Sequence, residues 1–253
     1  MTNQQWVFGV HAVTAVLSQT NRQVYTLYID THKTDQAYQK IRQFAEQQSI
    51  AIRSIQAIEK QFSNQTHQGV IASVAPLPEY QQGDLPLLLG NTANKNALIL
   101  ILDGITDVHN LGACLRTADG AGVDFVIMPK DKSAPINATV SKVASGAAEC
   151  VPIVRVTNLA RAMKALQEAG VWIYGAAGEA KQTLYQLDCQ GPVALVMGSE
   201  GNGLRRLTRE HCDQLYSLPM QGYVESLNVS VATGVSLYEV LRQRMNIPSL
   251  VKS

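Results

Sequence analysis

The 253 residues encode a two-block α/β protein whose larger block is built on a mostly parallel sheet, and three observations carry that expectation. From residue 97 onward, short apolar runs alternate with helical patterns: ALILILD (97–103), DFVIMP (124–129), VPIVRV (151–156), VWIYGAA (171–177), PVALVMG (192–198) and QLYSLPM (214–220). Strands covered by helices on both faces need such continuous apolar runs. Residues 76–96, PLPEYQQGDLPLLLGNTANKN, gather three prolines and two glycines, the composition of a linker. The residues before it carry a strand and helix alternation of their own. The expected partition is therefore a small α/β domain over 1–75, a linker over 76–96 and the sheet domain over 97–253.

In the first block the patterns predict a helix near 10–18, a strand VYTLYI at 24–29 and a helix over 34–47. A strand near 50–53, a short helix and a last strand GVIASVA at 69–75 complete it. In the second block, Asn158 caps NLARAMKALQEAG, in which Leu159, Ala162, Met163, Leu166 and Ala169 repeat at helical spacing and Gly170 stops the helix. SLNVSVATGVS (226–236) is ambiguous. Leu227, Val229 and Val231 alternate with Ser226, Asn228 and Ser230 as in a strand, yet a helix-length apolar run follows. If the chain turns helical near Asn228, the helix is apolar almost all round and is expected to be buried, with its small polar residues needing partners.

A hydrophobic fraction of 46% and a charged fraction of 16% are those of an ordinary folded protein. No apolar run reaches the roughly 18 residues of a membrane span, so no membrane partner is expected. The start MTNQQWVFGV lacks the features of a secretory signal, which points to the cytoplasm. Cys114, Cys150, Cys189 and Cys212 are scattered without a CxxC pair and read as buried or incidental thiols. A net charge of +1 gives no global pull toward nucleic acid, so an RNA partner must be held by local groups. Lys130 with Lys132, and Arg205 with Arg206 and Arg209, are the two candidate patches.

Ligands of open α/β sheets sit beyond the carboxyl ends of the strands, and three loops there are rich in polar groups. In DGITDVHNLGACLRTADGAG, Asn110 is placed to cap a helix that carries Arg116, which an Asp119 three residues on can pair. In VMGSEGNGL, Gly198, Gly201 and Gly203 surround Glu200, letting backbone amides approach a ligand or adopt positive φ. The order GxxGxG is not the dinucleotide fingerprint, and GxxxxGK[ST] is absent, which disfavours a nucleotide-dependent oxidoreductase. The third loop is LPMQGYVESLNVS. No GxSxG elbow, catalytic triad order or metal-spaced histidine pair is visible, so a hydrolase or a metalloenzyme finds no support and no metal is expected.

Taken together, NLGACLRTA, ALVMGSEGNGL and SLPM…SLNVSVATG resemble the three ordered motifs of the SpoU-type RNA ribose 2′-O-methyltransferases of the SPOUT superfamily. FGVHAV and HQGVIA in the first block resemble the ribosomal-protein-like substrate-binding domain often attached to them. The likeness is greatest to the branch that methylates a guanosine in the peptidyl-transferase loop of 23S rRNA. It implies a C-terminal trefoil knot, S-adenosylmethionine as methyl donor, and a homodimer with its active sites at the interface. By that resemblance Gly198, Gly203, Leu218, Met220 and Leu227 hold the cofactor, and Asn110, Arg116, Glu200, Ser226 and Asn228 form the catalytic site. Arg116 is the family's general base, but a guanidinium is normally fixed in its charged form, so a clamp on phosphate or on the developing alkoxide is the alternative. A tRNA target and a non-catalytic RNA-binding or ribosome-assembly role are the competing functions.

Overall fold

The structure, a computed structural model, describes residues 4–19, 22–92 and 96–245. Its elements run β1 (Gln5–Phe8), α1 (Val10–Ser18), β2 (Val24–Ile29), α2 (Gln36–Gln47), β3 (Ala51–Ser54), β4 (Val70–Val74), β5 (Tyr80–Gln81), α3 (Leu85–Thr92), β6 (Leu98–Asp103) and α4 (Val108–Gly120). They continue with β7 (Phe125–Pro129), α5 (Ala138–Val143), α6 (Ala147–Cys150), β8 (Ile153–Val156), α7 (Leu159–Glu168), β9 (Trp172–Ala176), β10 (Val193–Gly198), α8 (Arg206–Glu210), β11 (Gln214–Tyr216) and α9 (Val229–Arg244). Two compact units result: Met1–Pro78 with Pro135–Cys150, and Glu79–Ala134 with Val151–Ser253.

The first unit holds a four-stranded sheet in the order β1-β4-β2-β3. Helices α1 and α2 bury Val13, Leu17, Ile41 and Ala45 against Leu27, Ile29 and Ala72 on one face. On the other, Ile55 and Ile58 from two 3-10 turns cover Ile71, flanked by the half-buried rings of Trp6, Phe8, Tyr28 and Phe62. Strand β1 was not expected, because four residues give too short a pattern to read; its pairing with β4, from Gln5 opposite Val74 to Phe8 opposite Ile71, is what defines it.

The partition differs from the expected 1–75 and 97–253 in two places. Residues 135–150 belong with the first unit. There Gly146, at φ +95°, lies so close to α1 that a Cβ would come within 2.7 Å of Ala15 Cβ. Glu149 forms a buried ion pair with Arg22, whose guanidinium also donates to Ala75 O at 2.7 Å and to Gln5 Oε1 at 2.5 Å. Burial pushes the Glu149 carboxyl above its ordinary range, and the adjacent Arg22 charge opposes that shift. The second difference is the stretch 76–96. Residues 93–95 lie outside those described, but β5 and α3 are regular structure, with Leu85 and Leu88 buried in the second core. Proline signalled a break there, yet Pro86 sits in the first turn of α3, where a missing N–H costs nothing.

The second unit is a seven-stranded sheet, β11-β9-β10-β6-β7-β8-β5, parallel in every pairing. All six expected strands are present. Asn158 caps α7 by accepting the Arg161 N–H at 3.0 Å, and Leu159, Ala162, Met163 and Leu166 are buried; Ala169, expected on that face, is the exposed C-cap. From β6 the chain moves outward through β7 to β8, then returns to the far side of β10. The order therefore reverses at the β6–β10 pair, where Asp103 lies opposite Gly198. Such a switch point leaves a crevice beyond the strand ends.

The ambiguous stretch resolves as a turn into α9, with Asn228 as N-cap accepting the Ser230 N–H at 2.9 Å. Its small polar residues find partners: Ser236 accepts from Tyr216 OH at 2.8 Å, and Thr233 Oγ1 donates to Val229 O at 2.7 Å and lies 3.4 Å from Cys114 Sγ. Burial pushes the Cys114 thiol up to about 11. The expectation of burial on every side fails, because Val231 and Tyr238 are 51% and 52% exposed. Periodicity shows that a face is apolar, not that this chain covers it.

Candidate active site

Three loops meet at the β6–β10 switch point, and each arrives there for a local reason. After β6, Asp107 rather than Asn110 caps α4, accepting the Asn110 N–H at 2.7 Å. Asn110, expected as the cap, thus sits in the first turn with its side chain free for other work. After β10, the loop folds back on itself through paired backbone bonds between Ser199 and Gly203 at 3.1 and 2.9 Å. Gly201 and Gly203 take φ of +81° and +62°, conformations costly to any other residue. Gly198 serves differently: a Cβ there would overlap the Gly203 carbonyl and Leu204 N.

Asn110 Nδ2 donates to Glu200 Oε2 at 3.2 Å, and Asn228 Nδ2 donates to Asn110 Oδ1 at 3.0 Å and Glu200 Oε1 at 3.5 Å. One residue from each loop, up to 118 positions apart, therefore forms a closed ring of hydrogen bonds. Because both Glu200 oxygens accept, each amide's orientation is fixed by the network.

A cavity of about 390 Å³ lies on one side of this ring. Gly198, Gly203, Leu218, Met220 and Leu227 all line it, as do Glu200, Ser226 and Asn228. A second cavity of about 510 Å³ lies on the other side, lined by Asp107, Asn110, Lys132 and Arg205, and shares Ser199, Glu200, Asn202 and Val229 with the first as a common wall. Nine of the ten expected site residues thus line one cavity or the other. The tenth, Arg116, lines neither; it is exposed on α4 and has no side-chain partner among the described residues, Asp119 included.

Several site residues were not expected. Asp103, buried at the end of β6, forms an ion pair with Arg205 and accepts its backbone N–H at 2.9 Å, fastening the glycine loop to the strand. The signal was an acid closing a run of apolar residues, where burial demands a partner. Ala176, at the end of β9, and Glu179 beyond it add a wall to the first cavity. Glu179 pairs with Arg209, and its own backbone N–H and Arg209 hold its carboxyl below the ordinary range. Arg206 pairs with Glu210 at 3.2 Å. All three arginines expected as an RNA patch therefore carry an ion pair, whereas Lys132 carries none among the described residues.

The chain's fold matches that of the SpoU methyltransferase AviRb from Streptomyces viridochromogenes bound to AdoMet, with a TM-score of 0.77 at 23% identity over 96% of this chain and 91% of that one. It is 54% identical over 240 residues to the 23S rRNA (guanosine-2'-O-)-methyltransferase RlmB of Pectobacterium atrosepticum, covering 94% of this chain and 98% of the relative. The Escherichia coli K12 protein of the same description is 51% identical over 242 residues, covering 95% and 99%. Residues 6–80 match the RNA 2'-O ribose methyltransferase substrate binding family. Residues 97–238, which contain all three loops and the ring that they close, match the SpoU rRNA Methylase family, and to that family the chain belongs.

Proposed function

We propose that this chain methylates the ribose 2′-hydroxyl of a guanosine in 23S rRNA, with S-adenosylmethionine as donor. The observation that carries the reading is the Asn110–Glu200–Asn228 ring in the wall between two cavities, a place where two substrates can be aligned across one set of polar groups. The 51–54% identity to 23S rRNA guanosine methyltransferases over nearly the whole chain supports the same substrate.

The first cavity fits the donor. Its 390 Å³ is within the range of small-ligand sites, and a glycine-rich turn beside Leu218 and Leu227 offers backbone groups and an apolar floor. Bound there, S-adenosylmethionine supplies an electrophilic methyl group on a sulfonium. Gly198, Gly203, Leu218, Met220 and Leu227 hold it, and Ser226 and Asn228 lie toward the acceptor. In-line displacement forms the ribose O–CH3 bond as the S–CH3 bond breaks, leaving S-adenosylhomocysteine, and the hydroxyl proton passes to phosphate or water. Asn110 and Asn228, held by Glu200, orient the ribose.

Arg116 stands apart from the ring, which fits a group completed by RNA or by a second copy of the chain. We assign it the role of clamp on phosphate or developing alkoxide. In Arg116→Lys, methylation should fall by about 100-fold or more if the planar fork matters; a near-normal single-turnover rate would defeat that role.

The remaining expectations belong to the same proposal. Val231 and Tyr238, exposed at a seven-residue spacing on α9, form the kind of apolar stripe that a homodimer interface covers. A trefoil knot is consistent with the way Arg244, at the end of α9, donates to the carbonyls of Asn96, Ala97, Cys189 and Gly191. The first unit grips structured rRNA, the target lies in the peptidyl-transferase loop, and the protein works in the cytoplasm. Incubation with a 23S rRNA fragment and labelled S-adenosylmethionine, followed by nucleoside mass analysis, should yield 2′-O-methylguanosine; RNA binding without label uptake would leave only a binding factor.

A further inference from the structure

Resting on the methyltransferase reading, we infer that the second cavity is the subsite for the acceptor nucleotide, with Asp107 reading the guanine base and Lys132 holding a phosphate. The shared wall is the first reason. If the donor fills the cavity that Glu200 and Asn228 line, the hydroxyl must approach from the side that Glu200 and Asn110 line. The acceptor nucleotide then occupies the space bounded by Asp103, Asp107, Lys132 and Arg205.

The charges there are the second reason. Asp103 is buried and satisfied by Arg205, and Glu200 is engaged by both asparagines. Asp107 spends one oxygen on the Asn110 N–H; the other has no partner among the described residues. An exposed, half-used carboxylate is unfavourable beside a polyanion unless it meets donors. Guanine supplies two adjacent ones, N1–H and the N2 amino group, which a carboxylate accepts together. Adenine turns the N1 lone pair toward the same oxygens and is repelled. Lys132, which lines the same cavity, is exposed, at φ +56°, and without an ion pair among the described residues. An ammonium on a flexible stem suits a phosphate oxygen.

The test uses the full chain and 23S rRNA fragments carrying guanosine, inosine or adenosine at the target position. Asp107→Asn and Asp107→Ser both retain a capping oxygen for α4, and calorimetric S-adenosylmethionine binding reports that the site is folded. Each should lower the preference for guanosine over adenosine by about tenfold or more and remove the difference between guanosine and inosine. Lys132→Ala should raise the KM for RNA and reduce the slope of log affinity against log salt by about 0.7–0.9, leaving base preference unchanged. Wild-type preference in both Asp107 variants, or an unchanged salt slope in Lys132→Ala, overturns the assignment while the methyltransferase reading stands. A wild-type chain that transfers no methyl group to the guanosine fragment overturns both.

Discussion

Gly198 has no room for a side chain, because the glycine loop returns over it and lays the Gly203 carbonyl and Leu204 N where a Cβ would be. Gly198→Ala must displace that loop, which lines the cavity proposed for the cofactor, at a stability cost of about 1–3 kcal/mol. S-adenosylmethionine affinity should fall by at least about tenfold, read by calorimetry, whereas wild-type affinity would show that the loop yields freely. The glycines were legible because their order after an apolar strand has few other uses. The ring they support was legible in membership but not in wiring. Asp107 and Asn110 are both good caps three residues apart, and local pattern could not say which one would start α4; that Asp107 does so leaves Asn110 to reach Glu200. Asp103 and Arg205, 102 positions apart, escaped because nothing local joins them.

Helix α9 has one buried face and one exposed apolar face, and the proposed homodimer would cover the second. Tyr216 and Ser236 are fully buried and satisfy each other, so Tyr216→Phe strands the serine hydroxyl. A loss of about 1–3 kcal/mol in denaturant unfolding is expected; a change near zero would mean that Ser236 finds another donor. Its outer face behaves oppositely. Tyr238→Lys should leave monomer stability within about 0.5 kcal/mol but shift sedimentation from dimer toward monomer, with methylation lost in parallel. A wild-type sedimentation profile would remove α9 from the interface. The period-2 alternation over 227–231 left the stretch ambiguous because a cap and its preceding turn also alternate exposure. Asn228 decided the matter by supplying the side-chain oxygen that a helix start requires.

Across the entire chain, the sheet domain was legible from its six strands, and the unit boundaries were not. Pairing of Arg22 with Glu149 joins positions 127 residues apart, which no local signal reveals. The pair also gives the molecule a pH signature. A carboxyl whose folded pKa is raised contributes stability that is present below its unfolded pKa and lost as pH rises through the folded value. Arg22→Met removes the charge that opposes the shift, so the Glu149 carboxyl rises further and less of the stability survives at neutral pH. Unfolding of the variant should be easier than wild type by about 3–5 kcal/mol near pH 7, with the gap closing as pH falls below the carboxylate range. A pH-independent gap would mean that packing alone was lost. The same discontinuity dictates how the units must be separated. A fragment beginning at Asn96 lacks β5 and all of α3 and leaves residues 135–150 without the unit they belong to, so an isolated sheet domain should begin at Glu79 and replace 135–150 with a short connector.

The inserted segment also sets an order of events during synthesis. When residue 78 leaves the ribosome the first unit has its sheet and both apolar clusters, but Gly146 and Glu149, which pack on α1 and pair with Arg22, have not yet been made. Arg22 waits without its carboxylate while β6, α4 and β7 emerge, so an early part of the nascent chain gains its buried ion pair only after the larger sheet has begun to form.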